Sequence, residues 1–130
     1  MSEQEIIAIE RACERLVVDF AYFGDLWKYE SLGALFTENG TMTRPPRSVL
    51  SGREAIVSSY MATPAERITR HICTNIRIMV ESAHQARGLT YAIVYSKNGN
   101  PRVGEFKDEF MRTAEGWRII SRTARFVIGE

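Results

Sequence analysis

The sequence predicts an α+β domain: N-terminal helices packed on a strongly curved, mostly antiparallel sheet that forms a cone with an internal pocket. Two observations carry this. Apolar residues in the first part of the chain recur at helical spacing, and everything after Pro64 runs in alternating, β-branched stretches separated by tight turns. Helices first and long strands afterwards place the helices on one face of the sheet. A cone whose open end is not filled by side chains is a ligand pocket.

Residues 3–23 read as one amphipathic helix, because Ile6, Ile9, Cys13, Leu16, Phe20 and Phe23 form a single stripe. A break is expected near Gly24, followed by a short helix with Leu32, Leu35 and Phe36 facing inward. Glu38-Asn39-Gly40 reads as a turn and Thr41-Met42-Thr43 as an extended piece. Pro45-Pro46 forbids regular pairing and marks a loop or sheet edge. Ser51-Gly52-Arg53-Glu54 has the spacing of a capping box, which predicts a third helix through Ala55, Ile56 and Tyr60, ending before Pro64. Strands are expected over 68–81, 88–97, 102–113 and 117–128, with turns at Asn98-Gly99-Asn100-Pro101 and Glu115-Gly116.

At 130 residues the chain predicts a single domain, 1–130, large enough for a core without metal or disulfides. Its net charge of +1 gives no electrostatic case for nucleic acid or an anionic membrane. Arginine outnumbers lysine 14 to 3. That bias suits an acidic substrate group, a subunit contact or solubilising surface charge. Cys13 and Cys73 are the only cysteines and the N-terminus is acidic, without a secretory n-region, so reduced thiols in a cytoplasm are expected. No apolar run approaches the roughly 18 residues of a membrane span.

Asp25 and His71 are the chemical candidates. Both interrupt apolar patterns, where an ionisable group needs a partner or a task. An imidazole titrates close to neutral pH, and a carboxylate can orient it and stabilise its charged form. From spacing alone, a structural hydrogen bond filling the cone is the favoured reading. Strand alternation sets His71, Cys73, Asn75 and Arg77 on one side and Ile72, Thr74, Ile76 and Ile78 on the other. The polar side is then the pocket wall. The isoleucine side needs cover, which predicts a homo-oligomer, dimer or trimer, unless a β-bulge exchanges the faces.

Tyr22 lies one helical turn before Asp25 and is the first choice for a hydroxyl donor. Trp27, Tyr29, Tyr60, Tyr91 and Tyr95 are further candidates for the lining. Cys73 shares the side of His71 as a small packing residue, and Asn75 holds either a substrate or a neighbouring backbone. A His71–Cys73 metal site lacks further clustered ligands. His84 sits in a polar turn. Arg118, Arg122 and Arg125 on the last strand are expected to be solvated or to pair across subunits. There is no Gly-rich phosphate loop, nucleophile motif or zinc signature.

The run Asp25-Leu26-Trp27-Lys28-Tyr29-Glu30-Ser31-Leu32, the stretch Leu50 to Ile56, His71-Ile72-Cys73-Thr74-Asn75-Ile76-Arg77-Ile78, Phe106 to Arg112 and Gly116-Trp117-Arg118-Ile119 together resemble the nuclear-transport-factor-2-like superfamily. Within it, the chain resembles the SnoaL-like branch that holds scytalone dehydratase, bile acid 7α-dehydratase and hexachlorocyclohexane dehydrochlorinase. The likeness covers nearly the whole chain. It implies a cofactor-independent, metal-free lyase acting on a hydrophobic, cyclic small molecule. By resemblance, His71 is the base that takes a proton from carbon and Asp25 the residue that orients it. Trp27, Tyr60, Cys73, Asn75, Tyr91, Phe110 and Arg112 are then the expected substrate contacts; for Arg112 a surface ion pair is the other reading. Two departures from scytalone dehydratase are visible. Gly24 stands where that enzyme has a tyrosine, and Tyr91 and Tyr95 stand where it has a second histidine. An isomerase or cyclase using the same pair, and a non-catalytic binding module, are the rival functions.

Overall fold

Ser2 starts the first helix. Its hydroxyl accepts from the Glu5 N–H at 3.1 Å, and the Glu5 carboxylate accepts from the Ser2 N–H at 3.3 Å. This reciprocal cap satisfies two amide donors that the helix itself cannot. The computed structural model describes residues 1–129; Glu130, the last residue of the expected domain, lies outside them. Helix α1 (Glu3–Asp25) buries Ile9, Cys13, Leu16, Val17, Phe20 and Ala21. It ends one residue past Gly24, where the break was expected. The chain turns at Trp27, whose φ of 60° is left-handed. A Cβ at Gly24 would make an ordinary contact, 3.6 Å from Leu32 Cδ1 on helix α2 (Tyr29–Gly33).

Leu32, Leu35 and Phe36 are buried as expected, although Phe36 already belongs to strand β1 (Phe36–Thr43). Glu38-Asn39-Gly40 is no chain reversal. It lies within β1, where the register against the last strand shifts between Phe36 and Thr41. A bulge absorbs the turn-prone residues without reversing the strand. The Pro45-Pro46 loop leads to the two-residue strand β2 (Leu50–Ser51). Ser51 does not cap helix α3 (Arg53–Met61): it is paired with Thr41 in β2, and Gly52 is the N-cap at φ 96° with no side-chain cap. Sheet pairing has claimed the residue that the capping motif needs.

Strands β3 (Thr69–Val80), β4 (Gln85–Ser96), β5 (Arg102–Thr113) and β6 (Gly116–Ile128) complete the sheet. The order is β2-β1-β6-β5-β4-β3, open at both edges, with only β1 and β6 parallel. The core lies between α1, α2, α3 and the concave face, around Leu16, Phe20, Leu32, Phe36, Ile56, Phe110 and Ile119. Among the described residues, no helix is long and apolar enough to cross a membrane.

Two bulges change which side chains face inward. The β3–β4 register shifts between Thr74 and Arg77, with Asn75 at φ 52°. Before it, Thr69, His71 and Cys73 face the interior; after it, Ile76, Ile78 and Val80 do, packed against the core. The expected isoleucine face therefore does not exist as one surface. A second shift, between Glu109 and Phe110 against β6, leaves Ile120 as the extra residue. It turns Arg122 into the core, where solvation was expected; Arg122 is 1% exposed.

Candidate active site

Asp25 is the last residue of α1, and His71 is the third residue of β3. Helix α1 packs chiefly on β3, which brings the two together across 46 positions of sequence. The Asp25 carboxylate makes three polar contacts. Oδ1 lies 2.6 Å from His71 Nδ1 and accepts from the Thr69 hydroxyl at 2.8 Å, while Oδ2 accepts from the His71 backbone N–H at 2.8 Å. Burial alone would raise the Asp25 pKa. The hydrogen bonds from the His71 ring and backbone, the His71 charge and the Thr69 hydroxyl outweigh it, and the pKa falls below the ordinary carboxylate value. Asp25 is thus a fixed anion. With Nδ1 committed to it, Nε2 is the ring nitrogen left to exchange a proton with a ligand.

His71 lines a cavity of about 920 Å³, and Asp25 sits behind it. Phe20, Val94 and Phe106 supply apolar wall, and Trp27, Tyr29 and Tyr60 join them. Trp27 Nε1 donates to the Arg67 carbonyl at 3.0 Å, which ties the α3–β3 loop to the end of α1. The Tyr60 hydroxyl donates to Met42 Sδ at 3.8 Å. Burial pushes its pKa up, against the opposing pull of Arg44, Arg122 and Arg67, so it stays a protonated donor at neutral pH.

Beneath the apolar wall lies a buried ion pair. Arg122 Nε and Nη2 donate to the two carboxylate oxygens of Asp108 at 2.6 and 2.8 Å, with both side chains fully buried. The guanidinium carbon sits 4.3 Å from the Phe20 ring centre and 4.0 Å from that of Phe106. Two rings of the cavity wall are therefore held by stacking on a fixed cation. Burial pushes the neighbouring Cys13 thiol up to about 12, helped by Asp108 and Glu14. Burial likewise raises Cys73, which packs against the core beside the cavity and does not line it.

Several expected contacts lie elsewhere. Tyr22 is 57% exposed and outside the cavity, so the one helical turn that separates it from Asp25 does not bring it to the site. Tyr91 and Tyr95 alternate onto the convex face of β4, opposite Ala92 and Val94. Asn75 is exposed at the bulge, and its Oδ1 accepts from the Thr74 hydroxyl at 3.1 Å, so its role there is local. Phe110 is buried in the core, away from the cavity. Arg112 is exposed near the far end of β5, where its N–H bonds the His84 carbonyl. Sequence reasoning missed Thr69, Phe20 and Phe106. Thr69 could have been found two residues before His71, on the same side of the strand. Among the described residues, no three His, Cys, Asp or Glu side chains cluster as a metal-binding group.

A family model described as SnoaL-like domain matches residues 5–123. A search of curated proteins returns no match. Among solved structures, a candidate scytalone dehydratase from Novosphingobium aromaticivorans is similar at 22% identity and a TM-score of 0.85, over 98% of this chain and 89% of that one. A type 2 hexachlorocyclohexane dehydrochlorinase reaches a TM-score of 0.87 at 16% identity, over 97% and 90%. A type 3 dehydrochlorinase of the same substrate, from Novosphingobium barchaimii, reaches 0.85 at 18% identity, over 97% and 91%. At these identities the likeness is one of fold.

Proposed function

The chain belongs to the SnoaL-like domain family, and from that premise we propose that it is a cofactor-independent lyase acting on a hydrophobic, cyclic small molecule. One observation carries the reading: His71 faces a ligand-sized cavity while its Nδ1 is held 2.6 Å from a carboxylate that Thr69 and the His71 backbone fix in place. His71 Nε2 takes a proton from a carbon next to an activating group. The C–H electron pair becomes the new double bond, and the leaving group departs with its own electrons. Asp25 holds the tautomer and stabilises the imidazolium, and the C-terminal end of α1 adds partial negative charge beside it.

The proton donor to a departing hydroxide is Tyr60 in this reading, in place of Tyr22, because Tyr60 lines the cavity and its hydroxyl stays protonated. Fold neighbours that include a candidate scytalone dehydratase and hexachlorocyclohexane dehydrochlorinases favour elimination over the isomerase, cyclase or binding-module alternatives. The test is turnover of cyclic β-hydroxy ketones and halogenated cyclohexanes, followed by mass spectrometry. Loss of water or hydrogen halide that disappears in His71→Ala supports the lyase. Deuterium uptake from solvent without elimination moves the reading to an isomerase, and turnover indifferent to His71→Ala refutes it.

A further inference from the structure

Arg44, Arg47, Arg67, Arg102 and Arg125 line the cavity, and among the described residues no aspartate or glutamate does. Arg47, Arg67 and Arg125 are exposed and so stand at its mouth. Arg125 is matched by Glu105 at 3.1 Å. Among the described residues, no carboxylate lies within ion-pair distance of the other four. The net charge of the chain is only +1, so this concentration is no overflow of a basic surface.

The arginines come from separate segments. Arg44 and Arg47 flank the two prolines of the β1–β2 loop, and Arg67 lies in the loop before β3, where Trp27 fixes its carbonyl. Arg44 is half-buried, with its guanidinium 4.5 Å above the Tyr60 ring. Its side-chain partners are Met42 Sδ, at a weak 3.9 Å, and the Tyr60 hydroxyl, so most of its five donors have no protein partner among the described residues. Like charges gathered at a low-dielectric cleft repel one another and focus a positive potential into it. An uncharged ring gains nothing from that field, whereas an anion joining it does.

We propose that the substrate of this cavity is an amphipathic anion: an apolar ring body lies against Phe20 and Phe106, and a carboxylate or phosphate group is held at the mouth by Arg44, Arg47 and Arg67. This rests on the reading of the cavity as the substrate site and narrows the class of molecule it takes. Guanidinium forks match both anions bidentately, and His71 lines the same cavity as the arginines, so one molecule can carry both the charge and the reacting carbon.

Two fluorescent dyes of nearly the same shape test it. 8-Anilinonaphthalene-1-sulfonate is an anion, and N-phenyl-1-naphthylamine lacks the sulfonate. The expected result is a preference of about fivefold or more for the anionic dye. Arg44→Gln combined with Arg67→Gln removes that preference and leaves the Kd of the neutral dye unchanged. A smaller preference in the wild type, one that survives the double substitution, or parallel loss of both dyes overturns the proposal. Competition then separates the anions. Displacement of the anionic dye by 1-naphthoate, by 1-naphthyl phosphate or by both supports the proposal and identifies the group; displacement by neither overturns it. No step requires turnover. Failure here with His71-dependent turnover intact refutes the anion site alone, and turnover indifferent to His71 refutes the proton transfer alone.

Discussion

His71 meets Asp25 twice. Its ring Nδ1 lies 2.6 Å from Oδ1, and its backbone N–H donates to Oδ2 at 2.8 Å. One residue thus engages both carboxylate oxygens, and the carboxylate cannot rotate without breaking a strand-to-helix tie. The same contact orients the imidazole and docks the end of α1 on β3.

Removing either partner is expected to abolish most turnover. General-base assistance of this kind contributes about 10²–10⁴-fold, so kcat of His71→Ala falls by that factor. Asp25→Asn falls comparably while the fold persists, because the amide keeps the shape but not the charge. Steady-state kinetics alongside circular dichroism checks both.

Asp25 also links stability to pH. Its folded pKa lies below the ordinary 3.8, so the folded state favours the carboxylate. That contribution is complete above the unfolded value and is lost as pH falls through the folded value. Urea midpoints measured downward from neutral pH should drop below about pH 4 in the wild type. In Asp25→Asn the curve starts lower and its acid limb is shallower. An unchanged acid limb refutes the linkage.

The Asp108–Arg122 pair predicts a large asymmetry. Asp108→Ala strands a fully buried guanidinium and is expected to cost about 3–5 kcal/mol in urea unfolding. Replacing both, Asp108→Leu with Arg122→Met, leaves no stranded charge and recovers most of that loss. Equal destabilisation by the single and double variants would show that the pair is not coupled.

Asn75 stands at a left-handed φ of 52°. Asn75→Gly is expected to leave stability within about 0.5 kcal/mol, whereas Asn75→Val forces a β-branched residue into that conformation and costs about 1–2 kcal/mol. Thermal unfolding measures both. Turnover equal to wild type in Asn75→Gly separates this backbone role from the substrate contact first expected of the residue.

The convex face keeps an apolar patch. Ile72 pairs with Ile93 across β3 and β4, and Tyr91 and Tyr95 flank them, exposed. A patch of this kind suits a second copy of the chain. Light scattering is expected to give a dimer or trimer, and Tyr91→Glu is expected to shift it to monomer. A wild-type monomer at high concentration would end the idea.

The periodicities by themselves determined the first helix, the four long strands and the α+β order, because local spacing decides which face of an element is apolar. They also singled out Asp25 and His71, since an ionisable residue in an apolar pattern is visible without a structure. Tertiary structure alone decided their meeting, which depends on α1 lying along β3. It also decided which strand residues face inward. One extra residue at Asn75 and another at Ile120 reverse the alternation, sending Asn75 outward and Arg122 into the core. Alternation has a period of two, so a single bulge inverts every later assignment on its strand. The arginine collar was illegible for a related reason: Arg44, Arg47 and Arg67 sit in loops, where no periodicity fixes direction, and only the tertiary fold gathers them around one cavity with Arg102 and Arg125.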